Sequence, residues 1–144
     1  SSSRGGCSCR NAMPSEFSTR DSAARDVDVR SMRVLAGVGA LGCGVAVAIG
    51  AWAMHGVLVA PNRERLAIAA LFLFVHGLAL AALAPRTVSR LRQSGMYCLM
   101  IGTILFSGSL ILAVTLGIAP VLAPFGGSLL MLGWLLIATG LLFG

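Results

Sequence analysis

The chain has 144 residues, of which 57% are apolar and only 11% charged, and its mean hydropathy is +0.90. An ordinary soluble domain carries roughly 25% charged residues, so that class is excluded, and the length allows one domain. The formal net charge of +6 comes from 11 arginines. It does not indicate nucleic-acid binding, because acidic residues nearly cancel the arginines of the first 30 positions and the other arginines flank apolar runs.

Residues 1–31 are rich in Ser, Arg, Gly and Asp and poor in large apolar side chains. Such a segment buries too little surface to offset the entropy of folding, so we expect a polar, mobile tail before a membrane domain over residues 32–144. Its composition is typical of a mitochondrial targeting segment, although four acidic residues fit that class poorly. The tail does not begin with Met, which leaves three alternatives open: a processed chain, an incomplete chain, or a start at Met13 or Met32.

Three stretches, residues 34–62, 66–85 and 93–144, contain no Asp, Glu, Lys or Arg. A helix crosses the hydrocarbon core with about 20 apolar residues, so each stretch predicts membrane-spanning helix. The last stretch is long enough for two helices, with a break at Gly117–Pro120 because Pro lacks the N–H donor. The sequence therefore predicts an all-α integral membrane four-helix bundle with short loops. The predicted spans are residues 34–59, 66–83, 96–117 and 122–143.

Two alternatives to this reading are weaker. A β-barrel needs alternating polar and apolar residues, which the run at residues 110–114 does not show. Residues 51–53, Ala-Trp-Ala, resemble a signal-peptide cleavage site, but the apolar run before them is longer than a signal peptide requires.

The arginines near the span ends predict the orientation. Both the flank before the first span and the loop between the second and third spans are richer in arginine than the opposite loop. The positive-inside rule then places both termini in the cytoplasm of a bacterium, at its inner membrane, or in the mitochondrial matrix. The arginines are Arg20, Arg25, Arg30 and Arg33 in the flank, Arg86, Arg90 and Arg92 in the middle loop, and Arg63 and Arg65 in the opposite loop.

Small residues recur at helical spacing in the spans, for example Ala40, Gly44 and Ala48. Helices in lipid associate by close backbone approach, so these rows predict tight packing within the chain. The predicted helix-packing glycines are Gly44, Gly50, Gly108, Gly126, Gly127, Gly133 and Gly140.

Few polar side chains lie within the spans, and four of them form the candidate intramembrane polar site: His55, His76, Ser107 and Ser109. Ionisable groups at membrane depth are costly and often functional. We expect His76, near the midplane, to hydrogen-bond one of the two serines across helices. The alternatives are a proton relay through His76 and a haem held by both histidines. The haem is disfavoured because the predicted depths of His55 and His76 differ by roughly 12 Å.

The sequence contains no convincing catalytic set, because no carboxylate lies in the spans to assist a nucleophile. The two thiols of Cys7 and Cys9 make an incomplete zinc site. We therefore expect no enzymatic activity, no cofactor and no metal.

Four ordered segments resemble the domain of unknown function 423 family, the transmembrane protein 256-like small membrane proteins. These segments are Gly50–Gly56, Val75–Leu80, Leu105–Leu110 and Pro124–Leu136. The chain departs from the family pattern at Trp52 and Met54, where Phe and Ala are usual, and at Val75, where Tyr is common. The resemblance implies a four-helix membrane protein without an assigned activity, and gives weight to His55, His76, Ser107, Gly108, Ser109, Gly126 and Gly127 without giving them a mechanism.

These observations predict a non-catalytic membrane protein that contacts the lipid bilayer and stabilises a larger membrane complex through other membrane-protein subunits. We expect no nucleic acid and no small-molecule substrate. The alternative is a small transporter or proton-conducting element that uses His76.

Overall fold

The computed structural model describes residues 15–87 and 89–143, with side chains described from Val29 onward. Cys7, Cys9 and Met13 lie outside the described residues. Four helices and one short 3-10 turn account for nearly all of the described chain, which contains no strand. The predicted all-α fold is thereby confirmed. The elements are α1 (Ser15–His55), α2 (Ala60–Leu83), the turn at Ala84–Arg86, α3 (Arg90–Leu116) and α4 (Ala123–Leu142).

The first three helices extend beyond their predicted spans at the polar end. α1 begins at Ser15, within the segment expected to be a mobile tail, and α2 begins at Ala60 rather than Leu66. Extending an existing helix costs little, because each added residue gains a hydrogen bond. Pro61 also suits the first turn of α2, where its missing N–H is not needed. Charged residues thus limit the part of the helix that lies in lipid, not the helix itself.

All four helices are long and apolar enough to cross a membrane. Large apolar side chains point away from the protein on every helix, as Leu41 on α1 and Met131 on α4 illustrate. This outward apolar surface is the surface expected of a protein whose solvent is lipid. The candidate spans are Val29–His55, Ala60–Arg86, Arg90–Leu116 and Ala123–Leu142.

The break between α3 and α4 falls where the sequence predicts it. α3 ends at Leu116, and Gly117 follows with a left-handed φ of 68°. Glycine is favoured at this position because it has no Cβ to clash in the left-handed region. α4 then begins at Ala123, with Pro124 in its first turn.

The helices pack in chain order as two hairpins. α1 lies along α2, α4 lies along α3, and contacts between α2 and α3 join the two pairs. Among the described residues α1 makes only a small contact with α3 and no extensive contact with α4. The core between the hairpins lies toward the end of the bundle that carries the middle loop. Its buried residues are Met32, Leu35, Leu80, Ala84, Met96, Leu99, Leu130 and Ile137.

Candidate functional site

His76 is buried in α2, with 7% of its surface exposed. Its Nδ1 lies 2.8 Å from the carbonyl oxygen of Phe72, one turn earlier in the same helix. Because a carbonyl oxygen only accepts, Nδ1 is the donor in this contact. The imidazole is therefore oriented by its own helix rather than by a neighbouring one.

The His76 ring belongs to a group of aromatic rings from three helices. It stacks on Phe72 with ring centroids 5.5 Å apart, and Phe72 in turn lies 4.4 Å from Phe106 of α3. Trp134 of α4 approaches the imidazole at 6.2 Å. We call Phe72, His76, Phe106 and Trp134 the aromatic cluster. Its members connect α2 to both helices of the second hairpin, so His76 contributes to packing between the hairpins.

The predicted hydrogen bond between His76 and a serine is wrong. The Ser107 hydroxyl is buried, with the residue 1% exposed, and has no hydrogen-bond partner. The Ser109 hydroxyl donates to the carbonyl of Phe106 at 3.0 Å, within its own helix.

The register between α2 and the antiparallel α3 explains why His76 does not meet the serines. Phe72 meets Phe106, so His76, one turn further along α2, lies level with residues about one turn before Phe106 on α3. Ser107 lies in the other direction from this level, roughly 7 Å away along the helix axis. The residue count from the ends of the predicted spans places His76 and Ser107 at similar depths in the membrane. That count assumes that the ends of the two spans lie at the same depth, and in the structure they do not.

His55 lies far from the other members of the candidate site. It is exposed at the C-terminal end of α1. Gly50, one turn earlier, lies opposite Ala70 of α2, so His55 is level with about Leu66. His76 is ten residues beyond Leu66, which corresponds to roughly 15 Å along the helix. The structure therefore brings neither serine nor the second histidine to His76.

The predicted packing glycines of α4 lie against α3. A Cβ on Gly126 would lie 2.5 Å from the backbone nitrogen of Phe106, and a Cβ on Gly133 would lie 3.0 Å from the carbonyl oxygen of Gly95. Gly127 makes only an ordinary contact with the Phe106 ring, and Gly140 faces the side chain of Arg92. The backbones of α3 and α4 thus touch along a row of glycines with a seven-residue spacing.

In the first hairpin the close contact is between residues that the sequence analysis did not single out. A Cβ on Gly39 would lie 2.5 Å from the carbonyl oxygen of Gly77. Gly50 makes an ordinary contact, while Gly44 and Gly108 have nothing within 4 Å of the position of a Cβ. Gly102 of α3 is another close contact outside the predicted set, since a Cβ there would lie 2.9 Å from the backbone nitrogen of Leu130. Its seven-residue spacing from Gly95 is a signal that the sequence carries.

The polar side chains do not form a metal centre within the described part of the chain. No three His, Cys, Asp or Glu side chains come together there. Cys43 and Cys98 are free thiols on different helices, and the Cys43 thiol donates to the carbonyl of Phe74 at 3.5 Å. The hydroxyls of Thr103 and Thr139 donate to carbonyls of their own helices. Polar groups in the spans are thus mostly paired locally, without forming a shared site.

Four span-length helices, apolar toward lipid and packed through glycines, define a small multi-pass membrane protein. The family model described as "Protein of unknown function (DUF423)" matches residues 47–127. UPF0382 membrane protein SSP2132 of Staphylococcus saprophyticus is 34% identical over 117 residues, which cover 76% of this chain and 97% of that protein. The chain therefore belongs to the DUF423 family. No solved structure matches it.

Proposed function

We propose that this protein is a non-enzymatic accessory subunit of a larger membrane complex, and that a transmembrane helix of a partner subunit packs on the outward face of α1. The outward face is defined as the row of small residues that is turned away from α2. It consists of Gly37, Ala40, Gly44, Ala48 and Ala51, all of which are exposed.

The observation that carries the proposal is that α1 has small residues on two opposite sides. At 100° per residue, Gly44 lies roughly 140° around the helix from Gly39, which contacts α2. Gly37 and Gly44 have no neighbouring atom within 4 Å of the position of a Cβ. Contacts among the described residues therefore do not explain these glycines, and glycine lowers the stability of a helix relative to alanine.

Two other pairs of glycines in the described helices show what such a surface can bind. Gly39 meets Gly77, Gly95 meets Gly133, and in each pair the backbones are too close for a side chain. Small residues allow this approach, and van der Waals contact between backbones then stabilises the pair in lipid. By analogy, the outward face of α1 suits one more helix, and α4 does not supply it.

The positive-inside rule supports placing the arginine-rich end of the bundle on the cytoplasmic or matrix side. The partner helix would then cross the same membrane alongside α1. Arg30 and Arg33 of α1 and Arg86 and Arg90 beyond α2 share this end. The relative from Staphylococcus is named a membrane protein and comes from a bacterium, which favours a bacterial over a mitochondrial membrane as the setting.

The test is native mass spectrometry of the protein, extracted from its own membrane in a mild detergent, with Gly44→Leu as the variant. We expect the wild type to purify in fixed stoichiometry with a larger assembly and the variant to lose that partner. The fold of the variant should survive, because residue 44 is exposed and a Cβ there has no described atom within 4 Å. Gly108→Leu, at a second glycine without close neighbours, is the matched control and should keep the assembly.

Two results contradict the proposal. A wild-type protein that is monomeric in a range of mild detergents removes the accessory role. The other result is a wild-type homo-oligomer that the Gly44→Leu substitution dissociates. It would show that the outward face binds a second copy of the chain instead of a partner subunit.

The transport alternative has one supporting observation, which is that the imidazole of His76 is buried and is oriented by its own helix. An open apolar depression of about 170 Å³ lies beside it, lined by Leu71, Phe72 and Val75. Ser107 and Ser109, which would have continued a proton path, are not within reach of the ring. The accessory role is therefore the better supported function.

A further inference from the structure

A cavity of about 170 Å³ lies between α2, α3 and α4 at the arginine-rich end of the bundle. Its polar lining comes from Arg86, Thr87 and Arg92, which surround the connection between the two hairpins. Its apolar lining includes Leu83, Met96 and Ile137. The cavity therefore joins a cationic rim to a hydrocarbon-like wall at the edge of the membrane domain.

Arg92 is the unusual residue of this cavity. It is half-buried, and its Nε is buried without a hydrogen-bond partner. Its aliphatic stem lies across Gly140 of α4, since a Cβ on Gly140 would lie 2.5 Å from Cγ of Arg92. Buried donors are nearly always paired in folded proteins, so an unpaired guanidinium N–H beside a cavity indicates a place for an acceptor.

The other polar groups of the cavity cannot neutralise Arg92. The Thr87 hydroxyl donates its proton to the carbonyl of Leu83 at 2.9 Å, and one N–H of Arg86 donates to the carbonyl of Ala82 at 3.2 Å. Among the side chains that the structure describes, Glu64 is the one carboxylate, and it lies at the opposite end of α2. The cavity thus brings together two positive charges and the unpaired Nε–H of Arg92, and no described side chain beside it supplies a matching anion.

We propose that this cavity binds a phosphate group, with Arg92 and Arg86 as its ligands. A guanidinium presents its donors in a planar fork that matches the oxygens of a phosphate, and basic pockets between transmembrane helices suit anionic lipid headgroups. A lipid phosphodiester and free inorganic phosphate share this chemistry. The wall of Leu83, Met96 and Ile137 favours the lipid, because it offers an apolar surface for an acyl chain.

The test measures binding of phosphatidylglycerol, phosphatidylcholine with the same acyl chains, and inorganic phosphate to the full chain in detergent micelles. Native mass spectrometry counts bound lipid, and the shift in the thermal unfolding midpoint reports phosphate binding. The variant is Arg86→Gln with Arg92→Gln. The matched control is Arg63→Gln with Arg65→Gln, which removes the same charge from the opposite end of α2.

We expect phosphatidylglycerol to bind more tightly than phosphatidylcholine, and each arginine removed from the cavity to weaken its binding about fivefold. The control should bind as the wild type does. If inorganic phosphate alone stabilises the wild type but not the cavity variant, and phosphatidylglycerol adds nothing, the site stands and its ligand is a soluble anion. Equal phosphatidylglycerol affinity in the cavity variant and the control overturns the proposal.

Gly140→Ala tests the site without removing a charge. The added methyl group displaces the stem of Arg92, so phosphatidylglycerol binding should weaken although both arginines remain. Gly37→Ala, where nothing lies within 4 Å, is its control and should leave binding unchanged. Unchanged binding in Gly140→Ala together with unchanged binding in the double arginine variant would show that adsorption to the surface, not this cavity, accounts for any bound lipid.

Discussion

Gly39 of α1 and Gly77 of α2 face each other so closely that a Cβ on either residue would lie 2.5 or 2.7 Å from the carbonyl oxygen of the other. The obstacle is backbone, which cannot rotate away as a side chain can. This contact fixes the separation of the first hairpin, and it gives the first prediction.

Gly39→Ala should lower the free energy of unfolding by about 1–3 kcal/mol, because the two helices must move apart to admit the methyl group. Gly44→Ala on the same helix should raise it by about 0.5–1 kcal/mol, because alanine favours the helix and meets no neighbour. Reversible unfolding of both variants in mixed micelles measures the difference. Equal effects of the two substitutions would show that α1 and α2 are not in contact at Gly39.

The adjacent glycines Gly126 and Gly127 provide a second prediction within one turn of α4. A Cβ on Gly126 would collide with the backbone of Phe106, whereas a Cβ on Gly127 would lie 4.0 Å from its ring. Gly126→Ala should therefore cost about 1–3 kcal/mol and Gly127→Ala should be neutral or stabilising. The midpoint of thermal unfolding separates the two variants, and the reverse order would mean that α4 is rotated about its axis relative to this structure.

Ser107 and Ser109 should respond differently to the same substitution. Ser107→Ala removes a buried hydroxyl that has no partner and should stabilise the protein by about 1 kcal/mol. Ser109→Ala loses the hydrogen bond to the carbonyl of Phe106 and should cost about 0.5 kcal/mol. Unfolding measurements on the pair test this. A strongly destabilised Ser107→Ala variant would indicate that its hydroxyl has a partner after all, such as a bound water.

His76 should act as a packing residue of the aromatic cluster. His76→Phe keeps a ring between Phe72 and Trp134 and should change the free energy of unfolding by less than about 1.5 kcal/mol. His76→Ala leaves a cavity and should cost about 2 kcal/mol or more.

A proton-flux assay in liposomes with a pH-sensitive dye distinguishes this role from transport. The accessory function predicts no flux above that of empty liposomes for the wild type or for either variant. Flux in the wild type that both His76→Ala and His76→Phe abolish would establish the transport alternative. Flux that survives both substitutions would remove His76 from any pathway.

The spans could be predicted from the sequence because charge marks where a chain leaves lipid. The end of α3 was also readable, since Gly117 and Pro120 both interrupt a helix. The rotation of each helix about its own axis could not be predicted from the sequence. Within residues 34–54 all sides of α1 are apolar or small, so composition does not distinguish the side of Gly39 from that of Gly44.

The predicted hydrogen bond between His76 and a serine was wrong for a related reason. Depth counted from the ends of two spans assumes that both begin at the same level, whereas the register depends on the turn at residues 84–86 and on the rings of Phe72 and Phe106. The unpaired Nε of Arg92 likewise follows from how its stem lies across Gly140, which is a contact between distant parts of the chain.

The chain-order packing of the helices bears on how the protein is made. Both glycine-lined interfaces join consecutive helices, so each hairpin can close soon after it leaves the ribosome. Contacts between neighbours in the sequence have a low entropy of loop closure and form quickly. The first hairpin can therefore assemble in the bilayer while the second is still being synthesised, and the α2–α3 interface that joins the hairpins can form only after α3 has been inserted.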